Sequence, residues 1–198
     1  EQEELIEKLT KDFPSSLSTD EYSAYKESPT VGNATDFISA TIEDNLSSII
    51  NSPTYADYIA TRPRAERIGS HGLFSSGDET IVLSKVSEEL NNHQGNVWTI
   101  IASLKREDAE RLGFDNAARW KSMIGSQVCQ IASNMRIPVE NLKWYGAFHN
   151  EGKHPHVHII VYSANPKEGY ITKVGIDKLR SCFAQDIFAQ DLQSLYED

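Results

Sequence analysis

Four of the chain's six histidines, His149, His154, His156 and His158, fall within ten consecutive residues, in the run FHNEGKHPHVHIIVYS. In an extended strand successive side chains point to opposite faces, so His156, His158 and Ile160 share one face and Val157, Ile159 and Val161 the other. The second face reads as apolar core, and the first offers two imidazoles side by side. His149 closes the preceding apolar run, and a hairpin returning through Pro155 brings its ring beside them. Three imidazoles converging on one point suit a divalent cation, and by softness they suit zinc, nickel or iron. Three neutral ligands also leave coordination positions open and the full charge on the ion, which is the pattern of a catalytic site, able to polarise a phosphoryl or carbonyl oxygen. The competing reading is a partly exposed pair of histidines on a solvated sheet face. His154, in the loop before Pro155, is expected to face solvent or to support the ligands from outside. Glu151 could add a carboxylate to the ion or be solvated.

The elements that must position these rings can be read from periodicity. Residues 96–104, 142–148 and 156–163 are rich in β-branched and aromatic side chains and read as strands, the last two joined as an antiparallel hairpin through HNEGKHP. Apolar residues at spacings of three and four predict helices over 1–13, 33–50, 84–92, 115–136 and 172–195, with Asp115 and Thr172 as candidate caps. A further turn or two at 55–62 is stopped by Pro63, and the Ser-, Thr- and Pro-rich stretch 14–32 reads as a loop. Few strands separated by helices, with at least one hairpin, predict an α+β fold whose antiparallel sheet has about five strands flanked by helices.

Composition bounds the function. The chain has 198 residues, 39% of them hydrophobic, and a formal net charge of −10. That charge argues against a nucleic-acid partner, but its distribution softens the argument. Residues 1–52 hold 11 acidic and 3 basic side chains, and residues 53–198 hold 18 and 16, so most of the acidity sits in the first quarter. We therefore expect an acidic helical extension over 1–52 and the main domain over 53–198. No membrane span or signal peptide is visible, and the two cysteines, Cys129 and Cys182, read as reduced core thiols; together these predict a cytoplasmic protein. The chain opens on Glu1 rather than Met, so residues are expected ahead of it.

The histidine run resembles the third motif of the HUH relaxases, a His, an acidic residue soon after, then Pro-His-x-His and apolar residues. In order and character WYGAFHNEGKHPHVHIIVYS, YIATRPR, HGLFS, GNVWTIIASLKREDAERLGFDNAARW and GYITKVGIDKLRS resemble the MobP/MobL-type relaxases over residues 54–182. The resemblance implies an HUH endonuclease-like fold and a metal-dependent nickase that cuts one DNA strand at an origin of transfer through a 5′-phosphotyrosyl intermediate. It implies His149, His156 and His158 as metal ligands, with magnesium or manganese as the expected ion and zinc or nickel as alternatives. It places the nucleophile in YADYIATRPR, where the position before Ile matches Tyr58; Tyr55, three residues earlier, is the runner-up, otherwise a packing aromatic. Arg62 and Arg64 are the expected DNA-phosphate contacts, or else a solvated basic turn, with Lys105 and Arg106 as weaker candidates. Trp98, Trp120 and Trp144 read as core before base-stacking platforms. Single-stranded or melted origin DNA, accessory DNA-binding proteins, a coupling protein and a bacterial mobile element as source are implied by the resemblance alone. The fold so implied begins with a strand, supplied here by residues 22–26 or by sequence ahead of residue 1. Two alternatives compete: a histidine-triad nucleotide hydrolase, in which His156 is the nucleophile, and an origin-binding module that has lost catalysis.

Overall fold

The computed structural model describes residues 2–45, 48–49, 55–77 and 79–197, the last four as backbone. The boundary expected at 52/53 and the apolar positions Leu46 and Ile50 lie outside the described residues, as does the side chain of Leu195. In chain order the helices α1 (Gln2–Asp12), α2 (Asp20–Glu27), α3 (Val31–Asp44) and α4 (Tyr55–Thr61) precede the two-residue strand β1 (Leu73–Phe74) and α5 (Leu83–Asn92). Then come β2 (Val97–Ser103), α6 (Arg106–Leu112), α7 (Ala117–Ser126), α8 (Val128–Met135), β3 (Leu142–His149), β4 (His156–Ser163), α9 (Lys173–Ile187) and α10 (Ala189–Glu197).

The sheet is antiparallel, in the order β1-β3-β4-β2, and its helices lie on both faces. The α+β class is as expected, with four strands among the described residues rather than about five. Residues 22–26 are not the missing strand but part of α2, whose cap is Thr19, its hydroxyl accepting from the Tyr22 amide. That helix also replaces the loop expected over 14–32. Thr172 caps α9 as expected, accepting from the Gly175 amide, whereas α7 is capped by Asn116 rather than Asp115. The long helices expected over 115–136 and 172–195 are each broken, at Gln127 and at Phe188. Gly146 is required by close approach, because a Cβ there would meet the Phe74 ring at 2.5 Å. Of the two unpaired thiols, Cys129 is exposed and Cys182 half-buried, so neither is the core thiol expected.

Alternation on β4 sends Val157, Ile159 and Val161 to one face, where they meet Phe148, Trp120, Met123, Ile131 and Phe183 from β3 and α7–α9. The opposite face of β4, solvated in the competing reading, is also buried. There Ile160, Tyr162 and Ala147 pack against Leu9 of α1, Phe37, Ile38 and Ile42 of α3, Ile59 of α4 and Val86 of α5. Every residue of β4 is therefore buried. The reason is that the N-terminal helices, whose apolar residues were legible, use that sheet face as their partner. Among the described residues no helix is long and apolar enough to cross a membrane.

Candidate metal centre

The β3–β4 register brings the three rings together. His149 lies directly opposite His156, and Ala147 opposite His158, so one hairpin end carries all three on one face. Their ring centroids are 4.7–5.1 Å apart, and one nitrogen from each ring lies within 4.8 Å of the others. His149 is fully buried, and His156 and His158 nearly so.

The outward nitrogens fix which nitrogen faces inward. His149 Nε2 donates to the Ile59 carbonyl at 2.8 Å, and His156 Nδ1 donates to the His154 carbonyl at 2.9 Å, since a carbonyl can only accept. In the neutral rings this leaves lone pairs on His149 Nδ1 and His156 Nε2, which face each other at 3.2 Å. Neither can donate to the other unless a ring is protonated. Protonation is opposed: burial first, then the charge of Arg62 and the neighbouring rings, hold His149 and His158 well below the ordinary imidazole value. His156 is lowered less, by burial and Arg62, against the His154 carbonyl bond. His158 Nε2 is buried with no hydrogen-bond partner among the described residues. Two inward nitrogens with their protons held elsewhere and a third without a partner are the donor set of a divalent cation, and main-chain carbonyls supply the outer hydrogen bonds that orient His149 and His156 as such ligands. The residues fit the ion.

On the outer side of His158, the Tyr55 hydroxyl lies 3.0 Å from Nδ1. Tyr55 is the first residue of α4, and burial pushes its phenol above the ordinary value, with a Thr99 hydrogen bond and Arg62 pulling the other way. Tyr58, one helical turn on, is not brought to the histidines. Its hydroxyl donates to Asp12 Oδ2 at 3.2 Å, and the Lys8 ammonium sits 4.9 Å from its ring, both from α1. The two tyrosines of α4 thus serve different neighbours.

An open cavity of about 550 Å³ leads to the rings and is lined by His156, His158, Arg62, Arg64, Glu43 and Glu151 among others. Arg62 is 2% exposed; Nη2 donates to Glu151 Oε1 at 2.9 Å, while Nε and Nη1 are buried with no hydrogen-bond partner among the described residues. Arg64, in a left-handed conformation at φ 66°, donates to Glu151 Oε2 at 2.5 Å and to Asp36 at 2.8 Å. Glu151 is therefore spent on arginines rather than aimed at the ion. Burial alone would raise its carboxyl, but the Arg64 bond and the charges of Arg62 and Arg64 more than offset this and hold it below the ordinary value. Arg106 is likewise spent, donating to Asn150 Oδ1 and to the Gly152 and Glu151 carbonyls. Trp120 and Trp144 are core, and Trp98 is half-buried against the Gly169 carbonyl. Sequence reasoning found the helix at α3 but missed its part in the site: Ser39 donates to Glu151, and Asp36 and Glu43 pair with Arg64 and Arg62. No spacing signal connects positions 19, 28 and 112 residues apart.

A family model described as MobL relaxases matches residues 1–198. The chain belongs to the MobL relaxase family. The match includes the first fifty residues of the relaxase, to which no resemblance was assigned from sequence, and those residues build the cover over the histidine face. No curated protein and no solved structure matches this relaxase. Family membership makes the chain a DNA-nicking enzyme that acts on origin DNA, and the buried histidine trio gives it a place for the divalent metal on which relaxases rely.

Proposed function

We propose that this relaxase cuts one strand of single-stranded or melted origin DNA by metal-assisted transesterification. In this reading His149, His156 and His158 hold the ion, Arg62 and Arg64 hold DNA phosphates, and a tyrosine of α4 attacks. The observation that carries it is a pair of opposite deficits in residues that line one cavity: an imidazole nitrogen of His158 and two guanidinium nitrogens of Arg62 are buried without partners among the described residues. The first calls for a cation and the second for an anion, and a phosphodiester on a divalent ion supplies both. Magnesium or manganese is the ion we assign, with zinc or nickel the alternatives favoured by an all-imidazole donor set. Residues 53–198 then carry the chemistry and residues 1–52 cover it, with accessory and coupling proteins acting from outside.

The nucleophile we assign is Tyr55 in place of Tyr58, because its hydroxyl touches the ligand set while that of Tyr58 is held by α1. Its oxygen bonds to phosphorus as the bond from phosphorus to the 3′ oxygen breaks; overall the phenolic proton ends on that oxygen. The bound ion would supply charge stabilisation at the phosphoryl oxygens. Arg62 adds donors already stripped of water, and the Ile59 and His154 carbonyls keep the imidazole lone pairs turned inward. The tyrosyl link conserves the energy of the cleaved bond for later rejoining.

The test is a denaturing gel of the protein with manganese and single-stranded fragments of its source element, run beside Tyr55→Phe, Tyr58→Phe and His156→Ala. An adduct that survives denaturation and disappears in Tyr55→Phe and His156→Ala, but persists in Tyr58→Phe, is expected. Loss in Tyr58→Phe alone would return the role to Tyr58. An adduct carried by a histidine would favour the nucleotide-hydrolase chemistry, and no adduct despite metal binding would favour an inactive origin-binding module.

A further inference from the structure

Glu151 carries more of this site's geometry than its loop position announces. Glu151 is 8% exposed, and its carboxylate receives three donors from two segments: Ser39 Oγ of α3 at 3.2 Å and Arg62 Nη2 at 2.9 Å on Oε1, and Arg64 Nη1 at 2.5 Å on Oε2. The hairpin turn that bears it is pinned from below. Arg106, the first residue of α6, donates through Nη2 to Asn150 Oδ1 at 2.7 Å and through Nε to the Gly152 carbonyl at 3.1 Å, and its amide donates to the Lys153 carbonyl. From above, the Asn150 amide donates to the Arg64 carbonyl at 2.9 Å, joining the turn to the residue whose left-handed backbone aims its guanidinium at Glu151. A loop carboxylate beside three imidazoles is an obvious candidate fourth ligand. Here its oxygens are taken, and the group of residues able to hold an ion together comprises the three histidines alone among the described residues.

We propose that Glu151 is a positioning residue for the DNA phosphate: it takes one nitrogen of Arg62 and one of Arg64, and so holds the Arg62 guanidinium, with Nε and Nη1 unpaired among the described residues, in the wall of the cavity that the metal ligands line, to receive an anion there. The inference rests on the relaxase reading for the identity of that anion. The chemistry behind it is general. A fully buried guanidinium needs a fixed counter-charge, and a carboxylate pinned by a hydroxyl supplies it without the mobility of an exposed side chain. Glu43, 3.6 Å from Arg62 with its side chain 57% exposed, is too loosely placed to do the same.

The experiment uses the full chain and Glu151→Gln, with Ser39→Ala as a milder variant should the first fail to fold. Three quantities are read: manganese affinity by calorimetry, the DNA concentration that half-saturates adduct formation, and the response of the Arg62 Nε–H resonance to inorganic phosphate. Glu151→Gln is expected to keep manganese affinity within about twofold, to raise the half-saturating DNA concentration about tenfold or more, and to lose the phosphate response. Ser39→Ala should move the last two in the same direction by less. A tenfold or larger loss of manganese affinity would make Glu151 a metal ligand and overturn the proposal, as would an unchanged phosphate response in Glu151→Gln. If the native chain forms no adduct with any fragment, the relaxase reading fails on its own, and the phosphate response still decides the role of Glu151.

Discussion

Both faces of β4 are buried, and they are built on opposite principles. Toward α7–α9 the contacts are apolar, with Trp120 edge-on to Phe114 and stacked on Phe148, and its indole N–H satisfied by the Phe114 carbonyl. Toward α1, α3 and α4 the same strands present three imidazoles beside the buried guanidinium that follows α4, with polar nitrogens that have no partner among the described residues. Interiors ordinarily satisfy such groups, because each one left unpaired costs about 1–3 kcal/mol. One face therefore stabilises the fold, and the other spends that stability on holding groups ready for a ligand.

The comparison is broken most sharply by one substitution on each face. His156→Ala should lower manganese affinity by about two orders of magnitude or more and abolish the DNA adduct, while reducing unfolding free energy less than any large core truncation. Trp120→Ala should do the reverse, costing about 3–5 kcal/mol in urea unfolding while leaving manganese affinity unchanged in the folded fraction. If His156→Ala costs as much stability as Trp120→Ala, the two faces do not divide the work in this way.

Proton linkage sharpens the contrast at intermediate size. All three histidines have folded-state values below the ordinary imidazole, led by burial. Below about pH 6.5 the unfolded chain takes up protons that the metal-free folded chain refuses, so stability from these rings is present above that pH and is lost as pH falls. The slope is at most about 1.4 kcal/mol per pH unit for each histidine. Urea melts in chelator between pH 7.5 and 5.5 should show it, and His156→Ala should be shallower by one proton; parallel slopes would count against buried neutral rings.

The smallest effect lies at the cavity rim. Asp36 is 55% exposed and pairs with Arg64, so Asp36→Asn should tighten single-stranded DNA binding about two- to fivefold at low salt by removing a competitor for the guanidinium. No change at low salt would mean that Arg64 does not meet phosphate.

What was legible follows from the same contrast. The strands at 97–103, 142–149 and 156–163 announce themselves through β-branched and aromatic side chains, and the trio of histidines through strand period, because both are local patterns. The break at Phe188 carries no proline or glycine to mark it, and the one at Gln127 has only Gly125 two residues before it. The choice between Tyr55 and Tyr58 was not legible either. Both lie on one short helix, and what separates them is whether α1 or β4 packs against each, a matter of tertiary arrangement. The solvated reading of Arg62 failed for the same reason: nothing near it in sequence indicates that Glu151 and α3 enclose it.

The cover over the histidine face also sets an order of events during synthesis. Ser39 and Glu151 are 112 positions apart, and Tyr55 and His158 are 103 apart, so α3 and α4 leave the ribosome long before the strands they cover exist. At about 5–20 residues per second the wait is roughly 5–20 s, with Phe37, Ile38 and Ile42 lacking their sheet. Eleven acidic side chains against three basic ones over residues 1–52 give the waiting segment a charge that keeps like chains apart. The acidity that sits oddly on a DNA enzyme is, on this account, suited to the nascent chain, and ribosome-arrested chains ending before and after β4 should differ sharply in protease resistance across α3.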